Sequence, residues 1–156
     1  MNGSTMTERA IAEYLNDRQK LIVLLMKLTS ATEDRQQDVA ETLRIRLCER
    51  VVDYLSNGYF RIYGDLLSSQ SWLEPRAYAA FEATTTTVLG FNDGFAKPGP
   101  VAHTRFKTAL ADLALALETR FELEDRLFGR LQPDASASQR HRSIRRPLIH
   151  VAFATT

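Results

Sequence analysis

Cysteine occurs once in the 156-residue chain, as Cys48, so no intramolecular disulfide can form and a disulfide-stapled scaffold is excluded. Breakers are scarce: there are seven glycines and five prolines, with no proline before Pro75 and no glycine between Gly3 and Gly58. That leaves room for long uninterrupted helices. The longest apolar run covers residues 21–26 and ends at Lys27, far short of the ~20 residues that span a bilayer. The first residues show no basic-plus-apolar leader pattern. The expectation is a cytoplasmic, single-domain protein without a membrane segment. Apolar residues make up 44% of the chain and charged residues 25%, the balance of a globular protein.

Charge is unevenly placed. Residues 1–134 hold 16 Lys and Arg against 19 Asp and Glu, whereas residues 135–156 hold Arg140, Arg142, Arg145 and Arg146 and no acid. A mildly acidic body is not the basic face of a nucleic-acid binder. Direct DNA binding is not expected; a nucleic-acid contact would have to act through the Arg-rich tail.

The periodicity predicts an all-α protein: an antiparallel bundle of four to five long helices with a flexible C-terminal tail. The first helix spans about 7–30, with Ile11, Tyr14, Leu21, Ile22, Leu25 and Leu28 on one face. The second begins near Thr32, where Glu33 and Asp34 would meet the positive end of the dipole, and carries the stripe Val39, Leu43, Leu47, Val51, Leu55. Ser56-Asn57-Gly58 can stop or bend it, so one bent helix or two helices fit the pattern. A further helix opens at about Glu74 with Pro75 in its first turn, although β-branched residues 84–87 also allow a short strand. Asn92-Asp93-Gly94 and residues 97–100 mark a loop, and the last helix covers about 101–131. The bundle domain is assigned to 7–131, and the basic segment 132–156 is expected to be poorly ordered.

The usual traces of catalysis are missing. Of the histidines, His103, His141 and His150, none sits in a Glu-x-x-His or His-Glu-x-x-His pattern, and no phosphate-binding glycine loop or nucleophile elbow is present. No catalytic residue, metal or cofactor is therefore assigned. Cys48 reads as a packing residue. Glu122, Glu124 and Asp125, beside Arg120 and Arg126, read as a solvated, salt-bridged face. The segment Val51-Val52-Asp53-Tyr54-Leu55-Ser56-Asn57-Gly58-Tyr59-Phe60-Arg61-Ile62-Tyr63 stands apart. If the helix continues past Gly58, Asp53, Ser56 and Phe60 share a stripe offset from the core and form a contact patch. Alternatively, Asp53 caps a bend and Phe60 enters the core.

Val52-Asp53-Tyr54-Leu55-Ser56-x-Gly58-x-Phe60-x-x-Tyr63 resembles the signature of the regulator of sigma D (Rsd/AlgQ) family of bacterial anti-sigma factors. Tyr14-Leu15-x-x-Arg18-x-x-Leu21, Phe91-Asn92-Asp93 and Leu117-Glu118-x-Arg120-Phe121-Glu122-Leu123-Glu124-Asp125-x-Leu127 resemble three further motifs of that family, in the same order. Tyr14 stands where the family usually has Trp, and Tyr59 where it usually has His. The resemblance implies a helical, non-enzymatic, monomeric transcription regulator. Its partner would be the C-terminal, −35-recognising domain of the housekeeping RNA polymerase sigma factor, with promoter recognition and core binding blocked. It further implies sigma contacts at Asp53, Ser56, Phe60, Arg18 and Tyr59, with Arg120, Glu124 and Asp125 serving binding or inter-helix ion pairing. The alternative is a helical-bundle adaptor for another sigma factor or regulatory protein.

Overall fold

The computed structural model describes the backbone of residues 2–69 and 73–131 and the side chains of 7–68 and 73–131; the Arg-rich tail lies outside the described residues. Two helical hairpins form the bundle. The first pairs α1 (Asn2–Glu33) with α2 (Gln37–Gly58), and the second pairs α4 (Pro75–Phe95) with α5 (His103–Leu131). α2 runs on through a π turn (Tyr59–Tyr63) into the short α3 (Gly64–Ser69). α1 also packs on α5, and α2 on α4, so the four long helices close around one core. Leu28, Leu47, Val51, Val88, Leu113 and Leu127 are fully buried there, each contributing about 1.5–3 kcal/mol of transfer free energy.

The first boundary departs from the sequence expectation. Thr32 does not cap α2; it is buried in the last turn of α1, and its hydroxyl donates to the Leu28 carbonyl at 2.7 Å. The turn instead centres on Arg35, whose φ of 54° is left-handed. Gln36 N–H donates to the Ala31 carbonyl (3.0 Å) and Arg35 N–H to the Thr32 carbonyl (3.2 Å). This is a Schellman ending with arginine at the position usually held by glycine. A boundary without glycine or asparagine leaves no composition signal, which is why Glu33 and Asp34 look like the start of a helix and not the end of one.

α4 opens as expected, with Pro75 in its first turn and an extended Glu74 before it. The strand alternative is not realised. Residues 84–87 are helical, and the Thr84 and Thr87 hydroxyls donate back to the Phe81 and Ala83 carbonyls at 2.6 and 3.1 Å. The helix also runs through Asn92-Asp93-Gly94, expected as loop, because Phe91 and Phe95 reach the core and pack on Phe106 at ring distances of 6.0 and 5.2 Å. The α4–α5 loop that follows is pinned by Arg44 of α2, which is buried. Its guanidinium donates to the carbonyls of Phe95, Lys97 and Gly99, while Gly99 N–H donates to Glu41 at 3.1 Å. Gly99 adopts φ 120°, a conformation that needs glycine.

Candidate partner-binding site

The Asp53–Tyr63 stretch has an inner and an outer face, and a buried carboxylate fixes which is which. Glu124 of α5 is 0% exposed. Its Oε1 accepts from Tyr54 Oη (2.5 Å) and Arg18 Nη2 (3.1 Å), and its Oε2 from Tyr14 Oη (2.5 Å) and Tyr63 Oη (2.7 Å). A carboxylate offers roughly four lone-pair sites, and all are filled. Arg120, one turn earlier, approaches Oε2 at 3.7 Å through Nε and donates to Thr84 (3.1 Å), Thr85 (2.7 Å) and Tyr63 Oη (3.3 Å). Arg18 also donates to Asp125 (2.8 Å) and Tyr54 Oη (3.0 Å). Two cations thus face two acids, joined by three phenols drawn from α1, α2 and the π turn. The network ties α1, α2, α4 and α5 together at one level of the bundle.

Aromatic packing completes it. Tyr14 stacks on Tyr54 at 4.1 Å, Arg18 lies 4.7 Å over Phe121, and Arg120 lies 4.1 Å over Phe81. Burial, reinforced by the Glu124 charge, pushes the Tyr14, Tyr54 and Tyr63 phenols well above their ordinary range. Burial opposes the charge on Arg18, but Tyr54, Glu124 and Asp125 outweigh it and hold the guanidinium more firmly protonated. The expectation of a solvated face around Glu124 is therefore corrected. Arg120 and Glu124 are interior: Glu124 pairs across helices with Arg18 and within α5 with Arg120, Arg120 reaches α4 through the Thr84 and Thr85 hydroxyls, and Asp125 closes the rim against Arg18.

Gly58 sits directly beneath this network. It is helical, with φ −60° and ψ −50°, so it neither stops the helix nor takes a left-handed turn. A Cβ here would lie 2.5 Å from Tyr14 Oη and 2.7 Å from Tyr63 Oη. Glycine is required by the close approach of two hydrogen-bonded phenols. The π turn follows at once: Gly64 N–H donates to the Tyr59 carbonyl, five residues back, and a Gly64 Cβ would come within 2.5 Å of that same oxygen. The extra residue per turn lets Tyr63 remain buried while Tyr59 and Phe60 face outward, as single π turns often do at functional positions.

The outer face carries four of the residues singled out in the sequence. Asp53 and Ser56 are exposed. Tyr59 is 44% and Phe60 81% exposed, their rings edge-to-face at 5.2 Å. Phe60 does not enter the core, and Asp53 caps no bend. Arg61, beside them, pairs with Glu13 of α1 at 3.2 Å. Arg18, grouped with the patch by resemblance, is found elsewhere. Its side chain is only 12% exposed and is engaged in the inner network. Tyr14, Tyr54, Tyr63 and Arg44 were not singled out as polar residues. The available signal was a polar group on an apolar stripe: Glu124 stands between Phe121 and Phe128, and Arg44 falls three and seven residues before Leu47 and Val51.

Cys48 is buried, and burial pushes its thiol up to about 11. Among the described residues, no group of three or more His, Cys, Asp or Glu side chains is placed to hold a metal ion. No helix among the described residues is long and apolar enough to cross a membrane.

Residues 3–132 match the family described as "Regulator of RNA polymerase sigma(70) subunit, Rsd/AlgQ". Among curated relatives, the chain is 29% identical over 128 residues to the Regulator of sigma D of Yersinia enterocolitica, covering 75% of this chain and 77% of that one. It is 28% identical over 130 residues to the Regulator of sigma D of an Enterobacter species, covering 78% and 79%. No solved structure matches it.

Proposed function

Since the chain belongs to the Rsd/AlgQ family of regulators of the RNA polymerase sigma(70) subunit, we propose that it is an anti-sigma factor whose outward patch binds the C-terminal, −35-recognising domain of the housekeeping sigma subunit. The observation that carries this reading is the exposure of Phe60, 81%, on a segment whose other side is locked by a buried network. A large apolar side chain held outward by interior hydrogen bonds is a pre-organised anchor, and Asp53 and Ser56 supply polar contacts at its rim. Tyr59 widens the aromatic surface. Arg18 acts from beneath, by holding Tyr54 and so the rotation of α2.

The partner is a helix-turn-helix module that binds DNA through basic residues. An acidic residue beside an aromatic anchor suits that surface, and the mildly acidic body steers the encounter. Occupying the DNA-reading face blocks promoter recognition and competes with core polymerase by sterics alone. The protein works as a monomer in the cytoplasm, without a catalytic step.

Calorimetric titration against the C-terminal domain of the host's housekeeping sigma factor tests this. Micromolar or tighter one-to-one binding is expected, weakened by about 1–3 kcal/mol in each of Asp53→Ala and Phe60→Ala, with helicity unchanged. Undiminished binding by both variants would place the contact elsewhere. No binding by the folded parent protein would favour the adaptor reading, with another partner on the same fold.

A further inference from the structure

The outer groove between α1 and α2 carries charge of the opposite sign to the body. It encloses about 380 Å³, with Lys20 and Lys27 on one wall, Arg46 and Arg50 on the other, and Leu24 and Leu43 on its floor. All four cations are exposed, and none forms an ion pair among the described residues. Lys20 and Lys27 are separated by two turns, roughly 10 Å along the helix axis. Because the hairpin is antiparallel and closes around Arg35, Lys20 lies level with Arg50. Val23, 41% exposed, adds apolar surface between the lysines. Asp17 and Asp53 close one end, so the groove runs into the patch described above.

We infer that this groove docks an acidic amphipathic helix of a second protein. The apolar floor wants an apolar stripe, and the two cationic walls want carboxylates on both sides of it, the layout of a helix lying in a groove. The cations are spread along the groove and do not converge on one point, which argues against a compact phosphate ligand. A basic surface like that expected of the sigma domain is repelled here, so the groove and the patch select partners of opposite charge. The chain's own Arg-rich segment after residue 134 has the wrong sign to fill it. Because Asp53 borders both surfaces, a long occupant of the groove would press on the patch and weaken the partner held there. This inference concerns the groove alone and stands whether or not the patch binds sigma.

The test is fluorescence anisotropy with a labelled, helix-forming peptide that carries a leucine stripe flanked by glutamates. A version with every glutamate replaced by lysine serves as comparison, and tripolyphosphate and a short oligonucleotide as competitors. Binding of the glutamate peptide is expected to weaken as salt rises. The Lys20→Glu/Arg50→Glu double variant should lower affinity about tenfold or more, while the same variant loses no affinity in the calorimetric titration of the sigma domain. Equal binding of the two peptides, or no effect of the double variant, overturns the proposal. Displacement by tripolyphosphate or the oligonucleotide more readily than by unlabelled peptide also overturns it, and assigns the groove to phosphate. Loss of sigma binding in Asp53→Ala but not in the double variant separates the two surfaces.

Discussion

Replacing Glu124 by glutamine tests the network that orients the patch. The substitution preserves volume and one carbonyl oxygen, which can still accept from two of the four donors now at 2.5–3.1 Å. The other oxygen becomes an NH₂ group facing donors. The phenols can rotate to accept from it, but Arg18 and Arg120 cannot accept at all. Arg18 keeps Asp125 at 2.8 Å, whereas Arg120 loses its carboxylate. Removing one partner of a buried charge pair costs about 3–5 kcal/mol. The retained Asp125 contact and the phenol rotation argue for the lower end, about 3 kcal/mol. Against a typical total of about 5–15 kcal/mol this is a large fraction. Urea unfolding followed by far-ultraviolet circular dichroism should show a lower midpoint with an unchanged slope. A Glu124→Gln midpoint equivalent to less than about 1 kcal/mol of change would refute the view that this carboxylate is the hub joining the helices.

Two further outcomes follow from the same site. The three buried phenols have folded values raised above the unfolded value of about 10, so the stability they contribute is complete below that pH and is lost as pH rises toward their folded values. Stability should then fall by up to about 4 kcal/mol per pH unit above about pH 10, with the Cys48 thiol adding to the loss from lower pH. Urea midpoints measured across that range check this, and tyrosinate absorbance lost in Tyr-to-Phe variants at 14, 54 or 63 should appear only with unfolding. Gly58→Ala should destabilise by about 1–3 kcal/mol through overpacking, despite a gain of up to ~1 kcal/mol in helix propensity. Its Cβ meets phenols that Glu124 holds in place. Gly94→Ala, in open space on α4, should stabilise by about 0.4–1 kcal/mol, and equal thermal shifts for the two would contradict the packing argument.

Apolar periodicity and the lack of early glycine and proline determined the all-α architecture, because a stripe repeating every 3.6 residues has nowhere to go but a helix packed on another helix. The packing role of Cys48 was legible for the same reason, whereas the pattern around Asp53 left open whether the helix passes Gly58 and on which side Phe60 falls. Helix ends were less legible wherever tertiary packing overrode local chemistry. Arg35 takes a glycine's place in the first turn, and Phe91 and Phe95 carry α4 through a sequence that reads as a turn. The roles of the charged residues were decided only by the tertiary structure. Charge on a helix is solvated by default, and nothing local distinguishes Glu124 from Glu122. What buries Glu124 is the arrival of Tyr14, Tyr54, Tyr63 and Arg18 from elements 61 to 110 residues away in sequence. That convergence, together with the π turn it accompanies, directs Tyr63 inward and Phe60 outward, and so turns a helical stripe into an exposed patch.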